Sequence, residues 1–526
     1  MPPSKGMVRS TGAKALGASE KTATPSPERP GRRELWFLAV LCLAAALRVS
    51  FGAAALPIFA DTDEDAHYDL VNKIARGTWP SDRVTYFDDD TLKTLIYNGS
   101  PEYQNAPLVS KDLPPYAPPV RDRLEEANTR GYIRFQYERL KHKPNHEAYE
   151  PPLYYALAAM WSGLCPSLGR PNTSPMYWAW TVYWIRFLNA PLFAGLVAAA
   201  YAFCRPRLGR DVALATAALT AFFPNTVYFT ISNDVLSPLA VLVALWLLIR
   251  WVATEVPERW LAPAAGLAVA AALLVKLSNG SVLIATAAAL LMRAWRVRRT
   301  GKLLAETWPL ALAAAVPLVI WGLRNRFVLG SWSGTGGRIL VRGLTPKPFV
   351  EWLDHPLFTF TGLATFLQAL CASLFRGDSI WGARSEHYLP TEYFFLVASA
   401  ILPAAGLAVA LARRKRDRVA SLTAGMCAIV VVTTVGQLAF MSLLFKFKPD
   451  AFPPSEQFPF YAFGRLAGGA LVPFLTLYAL GAQYLVVRRP ALLAIIVLAS
   501  IVMMLLGQWA LLGQTLSSQY NWFHLR

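Results

Sequence analysis

Charged residues are scarce in this chain, since only 16% of its 526 residues are Asp, Glu, Lys or Arg while 55% are hydrophobic. Such a composition excludes an ordinary soluble multidomain protein. Apolar runs of about 20 residues, each long enough to cross a bilayer, recur along the chain. The sequence therefore predicts an all-α integral membrane protein.

Cysteine is also scarce, and the five cysteines stand singly, with no C-x-x-C or other metal-binding spacing. This pattern gives no disulfide framework and no zinc motif. We interpret the cysteines as small buried hydrophobic residues: Cys42, Cys165, Cys204, Cys371 and Cys427.

Acidic residues are outnumbered by basic ones, 33 against 51, which gives a net charge of +18. In a soluble chain this excess would suggest a nucleic-acid partner. Here the basic residues form short clusters between apolar runs, beginning at Arg205, Arg293, Ala412 and Arg488. That placement is typical of cytoplasmic loops under the positive-inside rule, so no nucleic-acid partner is expected.

The apolar runs predict about 11 transmembrane helices within a single domain, residues 34–526, after a disordered cytoplasmic tail, residues 1–33. Alternating the spans from a cytoplasmic N-terminus places every basic cluster inside and the C-terminus outside. Two further apolar stretches are predicted as interfacial helices on the outer face, residues 151–168 and 358–375. The predicted spans are residues 35–59, 176–204, 212–230, 235–252, 261–277, 281–292, 303–323, 393–411, 420–445, 466–487 and 491–512.

This topology leaves two large extracytoplasmic loops, residues 60–151 and 331–390, which we expect to enclose a cavity at the membrane surface. The first begins with the acidic stretch "DTDEDAHYD" from Asp61 to Asp69. One interpretation is a carboxylate that acts on a molecule delivered by the lipid; the other is a helix start, because acidic residues favour helix N-termini.

A second polar group precedes the return of this loop to the membrane, in "NHEAYEPPLYYALAAMW". It contains His146, Glu147 and Glu150, followed by a Pro-Pro pair that starts a helix and by tyrosines suited to the headgroup region. Both polar groups are therefore predicted at one membrane surface.

These residues resemble the first-loop pattern of the GT-C membrane glycosyltransferases, a superfamily that includes the protein O-mannosyltransferase and aminoarabinose-transferase types. The resemblance rests on "DEDAH" and "EPPLYY", and is nearest to a bacterial branch whose first loop reads P-D-E-P-A-H-F. It extends to "ISNDVLSPLA", "SLFRGDSIWGA" and "YAFGRLAGGALVP", and so spans nearly the whole chain. Thr62 and Asp65 stand where the branch has prolines, and the element containing Arg465 lacks its tyrosine.

The resemblance implies a GT-C fold in a bacterial inner membrane and a role in the cell envelope. It implies transfer of a sugar from a polyprenyl-phosphate carrier to a glycan, lipid or protein acceptor on the outer face, with inversion. Asp63 corresponds to the general base, and Glu64 would orient the acceptor or bind a divalent cation such as Mg or Mn. Any metal site would use Asp63, Glu64 and His67. Further substrate contacts are expected from His67, His146, Glu150, Tyr154, Asn233 and Asp234, whereas Asp61 and Asp69 are interpreted as solvated.

The carrier phosphate needs a cation on the outer side or inside a span, where the positive-inside rule disfavours one. Snorkelling to lipid headgroups explains some of the cations at such positions. Arg324 and Arg465 are the first candidates, because each lies at a span end where a carrier phosphate would sit. Arg48 and Lys276 are the next candidates, and Arg186, Arg326 and Arg376 have similar predicted positions.

Two other functions are compatible with the spans. A transporter or flippase of lipid-linked sugars would share them but would normally show internal repeats, which we do not find. A non-catalytic envelope-assembly protein would keep the spans without needing the carboxylates.

Overall fold

The structure is a computed structural model, and it describes residues 30–60, 63–100, 118–166, 173–297, 300–377, 389–449, 454–486 and 489–525. Most of the predicted tail, the residues Asp61 and Thr62, and the second part of the motif "SLFRGDSIWGA", from Asp378 to Ala383, lie outside these ranges.

α-Helices dominate the described residues, as the sequence predicts. In chain order they are α1 Arg32–Ala55, α2 Glu64–Ala75, α3 Asp89–Asn98, α4 Ala127–Leu140, α5 Leu153–Ser162, α6 Pro175–Phe187, α7 Asn189–Leu208, α8 Arg210–Ala221, α9 Ser237–Ala253, α10 Leu261–Val275, α11 Ser281–Val297, α12 Thr300–Val328, α13 Thr335–Arg342, α14 Phe360–Arg376, α15 Leu389–Ala412, α16 Arg418–Leu444, α17 Leu471–Leu485 and α18 Pro490–Thr515.

Short elements connect these helices. Two two-residue strands, β1 Thr345–Pro346 and β2 Phe445–Lys446, pair antiparallel with Thr345 opposite Lys446. The 3₁₀ helices are Val120–Arg123, Thr226–Phe229, Asn233–Val235, Leu277–Gly280, Phe349–Trp352, Pro356–Phe358, Gly464–Ala470 and Trp522–His524.

Within the described residues, nine helices are long and apolar enough to cross a membrane. The chain is therefore a multi-pass all-α membrane protein, which confirms the predicted class. The other two of the eleven predicted spans, residues 212–230 and 261–277, are occupied by the shorter helices α8 and α10, of 12 and 15 residues. Beyond these helices the apolar sequence continues in irregular backbone.

Buried asparagine side chains hydrogen-bond to the backbone beyond α8 and at the end of α10. Asn189 donates to the carbonyls of Tyr228 and Thr230 at 3.2 and 2.7 Å, beyond the end of α8. Asn279 donates to the carbonyl of Ala272, at 2.8 Å, at the end of α10. Irregular backbone is tolerated at membrane depth only where such partners satisfy it, so these breaks indicate a polar interior region.

The main hydrophobic core lies among the long helices, where α1 packs on α7 and α8, α10 on α12, and α15 on α17. Cys204 and Cys427 are buried in it, as the sequence predicts, and Cys42, Cys165 and Cys371 are partly buried.

Above this core, the two predicted outer loops contact each other. α2 packs on α5, which occupies part of the first predicted interfacial stretch, and α14 occupies most of the second. α13 from the second loop lies against the first loop, where a Cβ at Gly337 would be 2.3 Å from Cζ of Tyr149. This contact brings the polar residues of both loops together.

Candidate active site

Asp63 starts α2 in an unusual backbone conformation. Its φ angle is +65°, and among the described non-glycine residues only Phe59 shares a positive φ. Left-handed backbone is unfavourable for residues with a Cβ, although Asp tolerates it better than most, and it persists where surrounding contacts enforce it. The side chain makes no capping bond to its own helix. The helix-start interpretation therefore does not explain the Asp63 carboxylate.

Two guanidinium groups and an imidazole from distant parts of the chain surround that carboxylate, which is 8% exposed. His146 Nε2 donates to Oδ1 at 2.8 Å, Arg465 Nη2 donates to Oδ2 at 2.5 Å, and Arg342 Nη2 lies 3.4 Å from Oδ1. Burial by itself raises the pKa of Asp63, but the charges of His146, Arg465 and Arg342 outweigh it and hold this pKa well below its usual range. Asp63 is therefore ionised at neutral pH.

Two further carboxylates, those of Glu147 and Glu150, lie next to the group around Asp63. Arg338 donates to Glu147 and to Glu150, the latter at 2.8 Å. Burial opposes ionisation of Glu147, but Arg338 and the nearby histidines hold its pKa well below the usual range. Burial raises the pKa of Glu150 despite Arg338. The two carboxyl groups thus differ in proton affinity although one arginine contacts both.

α13 supplies both of the arginines from the second loop. Arg338 and Arg342 are four residues apart and so lie on one helix face. Gly334 and Gly343, with φ angles of +77° and +60°, bound the helix, where left-handed backbone favours glycine. Gly337 allows the close approach to Tyr149 that brings this face to the carboxylates.

Glu64 has a different environment, which corrects the catalytic and metal-binding roles expected for it. It is completely buried, and both oxygens receive Arg186, with Nε–Oε1 at 2.7 Å and Nη2–Oε2 at 2.6 Å. The backbone N–H of Ile231 also donates to Oε1, at 3.0 Å. The remaining Arg186 N–H groups donate to the carbonyls of Ala53, Leu56 and Pro57. This closed pair joins the end of α1 to α2 and α6.

His67 lies one turn along α2 from Asp63 and is almost completely buried. Its Nδ1 is hydrogen-bonded to the Tyr155 hydroxyl at 2.7 Å, while Nε2 has no hydrogen-bond partner in the part of the chain that the structure describes. Burial lowers the pKa of His67 to about 4. The imidazole is therefore neutral at pH 7, and Nε2 is the atom that could contact a ligand.

The predicted residues Asn233 and Asp234 lie next to Glu150, in the 3₁₀ helix Asn233–Val235 that precedes α9. Asn233 Nδ2 donates to Glu150 Oε2 at 2.9 Å, and Asp234 pairs with Lys276 at 2.5 Å. Tyr154 accepts from the backbone N–H of Ser232 at 3.2 Å. The structure thus brings these predicted residues to the same polar region as Asp63 and His146.

Three other expectations differ from the structure. Arg324 donates to the carbonyl of Pro80, and Arg48 donates to Gln508 at 2.7 Å within the helical core, so neither contacts the carboxylate group. Asp69 is not solvated: it is fully buried, paired with Lys73, and it accepts from Asn145 at 2.7 Å. Asp69 lies on the buried face of α2, an amphipathic helix, although its neighbours in sequence are acidic.

Asp63, His146 and Glu147 could hold a metal ion, because one ligand atom from each lies within 4.8 Å of the others. This set shares Asp63 with the predicted one, but Glu64 is paired with Arg186, and His67 is not among the residues whose donor atoms come together. Two carboxylates and an imidazole suit Mn or Zn better than Mg, which prefers oxygen ligands.

Sequence reasoning missed Arg338 and Arg342 and assigned no role to Glu147. A signal for the arginines was present in "GGRILVRG", where two cations four residues apart lie in a predicted outer loop. The positive-inside rule that selected Arg465 applies to them equally. For Glu147 the sequence offered only its proximity to His146.

Comparisons with known proteins bear on this fold and site. The sequence profile of the dolichyl-phosphate-mannose-protein mannosyltransferase family matches residues 178–321. No curated protein matches. Two similar solved structures are the Archaeoglobus fulgidus oligosaccharyltransferase in complex with Zn and sulfate, and the archaeal oligosaccharyltransferase AglB from the same organism with an inhibitory peptide and a dolichol-phosphate.

Both solved structures are 12% identical to this chain, with TM-scores of 0.45 and 0.42. They are covered over 53% and 56% of their own lengths, and they cover 90% and 92% of this chain. The chain thus spans a little over half the length of these oligosaccharyltransferases.

The family profile matches the segment from α6 to α12, and with the multi-pass helical fold it confirms the resemblance to the GT-C superfamily of membrane glycosyltransferases.

Proposed function

We propose that this protein is a membrane glycosyltransferase that moves a sugar from a polyprenyl-phosphate carrier to an acceptor hydroxyl on the outer face of the membrane. The observation that carries the proposal is the Asp63 carboxylate, held in a strained backbone conformation among His146, Arg465 and Arg342. The family profile supports the donor class, because its description names a dolichyl-phosphate sugar.

In the proposed reaction, Asp63 takes the proton from the acceptor hydroxyl while the hydroxyl oxygen attacks the anomeric carbon of the donor sugar. The bond from that carbon to the carrier phosphate breaks, and the phosphate leaves with the electron pair. Attack from the face opposite the leaving group inverts the anomeric configuration. Arg465 and Arg342 would hold the departing phosphate, since guanidinium groups bind phosphate in bidentate geometry.

A divalent cation would fit Asp63, His146 and Glu147, as their donor atoms show. When bound, such an ion would stabilise negative charge on the donor phosphate. Arg338, Arg342 and Arg465 already neutralise these carboxylates, so an ion would compete with their contacts. Measured metal content and donor turnover with and without a chelator would determine whether the reaction needs it.

The test is release of sugar from a radiolabelled polyprenyl-phosphate sugar by the purified protein in detergent or liposomes. The proposal predicts cleavage by the wild type and its loss in Asp63→Asn. Transport of the lipid across liposomes without cleavage would instead support a flippase. Donor that is neither cleaved nor moved would support a non-catalytic envelope protein.

A further inference from the structure

The first outer loop contains a cavity separate from the carboxylate group at Asp63. Its volume is about 470 Å³, within the range of about 300–1,000 Å³ typical of small-molecule sites. The connection between α2 and α3 forms most of its wall, together with residues at the end of α2. The lining residues include Arg76, Trp79, Asp82, Tyr86, Asp88 and Asp89.

Two aromatic side chains in this wall are exposed. Trp79 is 42% and Tyr86 48% exposed, although each belongs to a folded segment. One edge contact between Tyr86 and His142, with ring centroids 6.2 Å apart, helps to fix the tyrosine ring. Aromatic faces carry the negative part of the ring quadrupole. They therefore attract the weakly positive C–H groups on the apolar face of a pyranose ring.

The charges of the wall disfavour an anionic ligand such as the donor phosphate. Arg76 pairs with Asp90 at 2.8 Å and also with Asp88, and Lys73 pairs with Asp69 and Asp88. Carboxylates thus outnumber cations here. Carboxylate oxygens are acceptors only and suit a ligand rich in hydroxyl donors.

The cavity wall is rigidly connected to the proposed base. Asn145, next to His146, donates from its backbone to the carbonyl of Thr85 at 2.7 Å. Tyr149 accepts from the Thr85 N–H at 3.1 Å and donates to the carbonyl of Arg83 at 2.6 Å. Asp69, on the helix that begins after Asp63, accepts from the Asp88 N–H at 2.8 Å. The wall and the base therefore share one framework.

We propose that this cavity binds a saccharide unit of the acceptor, so that the sugar is transferred to a glycan. The identification of the bound saccharide as the acceptor rests on the proposed function, whereas saccharide binding itself does not depend on catalysis. Trp79 would stack on the pyranose ring, and Asp82 and Asp89 would accept hydrogen bonds from its hydroxyl groups.

Saccharide binding can be measured directly on the full chain in detergent micelles, by saturation-transfer NMR with a panel of methyl pyranosides. We expect at least one pyranoside to bind. Trp79→Ala should weaken that binding at least about tenfold, as truncation of a central aromatic anchor does, and Trp79→Phe should retain most of it. The matched control is Trp332→Ala, because Trp332 is an exposed tryptophan of the second outer loop that does not line the cavity.

Three results would overturn the proposal: no pyranoside binds the wild type, Trp79→Ala binds as the wild type does, or Trp332→Ala weakens binding equally. The last two would indicate that Trp79 anchors the chain in the headgroup region. Donor cleavage is assayed in parallel with the same proteins. Pyranoside binding without donor cleavage would contradict the proposed function and support the cavity assignment. Donor cleavage without Trp79-dependent binding would support the proposed function and contradict the cavity assignment.

Discussion

Asp63 and Glu64 are adjacent in sequence, and their two carboxylates belong to polar regions of opposite kinds. Glu64 and Arg186 form a closed pair in which both side chains are completely buried and fully hydrogen-bonded to each other and to backbone. Asp63 belongs to an open group whose partners are partly exposed, with Arg342 at 32% and His146 at 18% of their side-chain area. The comparison indicates that the closed pair has a structural role. The accessible group, which several loops hold, can release a protein partner and bind a ligand in its place.

The largest effect is expected from Asp63→Asn, which removes basicity from the open group while nearly keeping its shape. A positioned base contributes about 10²–10⁴ in rate, so we expect turnover to fall at least about a hundredfold. Thermal unfolding and donor binding should stay close to wild type. Near-normal turnover in this variant would contradict the assignment of Asp63 as the base. Glu138→Gln is the control for turnover, because Glu138 is an exposed carboxylate of the same loop that pairs with Lys141 and lies outside both this group and the cavity.

Glu64→Gln tests the closed pair, because it leaves the Arg186 guanidinium buried without a counter-charge. Breaking a buried ion pair on one side costs about 3–5 kcal/mol. We expect a marked loss of folded protein, measured by thermal unfolding in detergent. The double variant Glu64→Leu with Arg186→Met removes both charges and should recover part of this loss, because the backbone groups that these side chains bond lose their partners. A single variant that is fully stable and catalytically dead would instead place Glu64 in the reaction.

Gly337→Ala tests whether α13 must lie close to the first loop. The added Cβ would meet the Tyr149 ring at 2.3 Å, which moves Arg338 and Arg342 away from their carboxylates. We expect donor kcat/KM to fall by about tenfold, since small displacements of positioning groups cost up to about a hundredfold. Gly336→Ala is the matched control, because the nearest atoms to its Cβ lie 3.4 Å away. Equal effects of the two changes would indicate a general effect on α13.

The smallest effect concerns the pH dependence of turnover. The cations around Asp63 favour its charged form and lower its pKa. Removing one cation in Arg342→Ala should raise that pKa, so the acid limb of kcat, measured at saturating donor, moves to higher pH. The control is Arg326→Ala, whose exposed guanidinium donates to the carbonyl of Gly330. A shift to lower pH, or the same shift in both variants, would contradict the electrostatic role of Arg342.

Much of the membrane architecture could be predicted from the sequence, because a span needs only a long apolar run. The end of α8 was signalled by Pro224, which has no backbone N–H and disfavours helical backbone at Phe223, whereas "LAPAAGLAVAAALLVKL" gives no such signal for the end of α10. Asn279 donates to the Ala272 carbonyl at the end of α10, and this side-chain bond depends on the packed fold. Contact between the two predicted outer loops was expected from their place on one side of the membrane, but the contacts of α13 with the first loop were not predicted. The cavity that the structure describes is lined by first-loop residues.

The sequence by itself determined which chemical groups lie in the two predicted outer loops: carboxylates near "DTDEDAHYD", a histidine and glutamates before α5, and arginines that the positive-inside rule disfavours there. Tertiary structure alone decided their partners. Arg186, 122 residues away, removes Glu64 from the accessible group, while Arg465, 402 residues away, joins Asp63. The physical reason is that neighbouring residues on a helix start point in different directions, so burial and charge pairing of each carboxylate depend on which distant segments pack there.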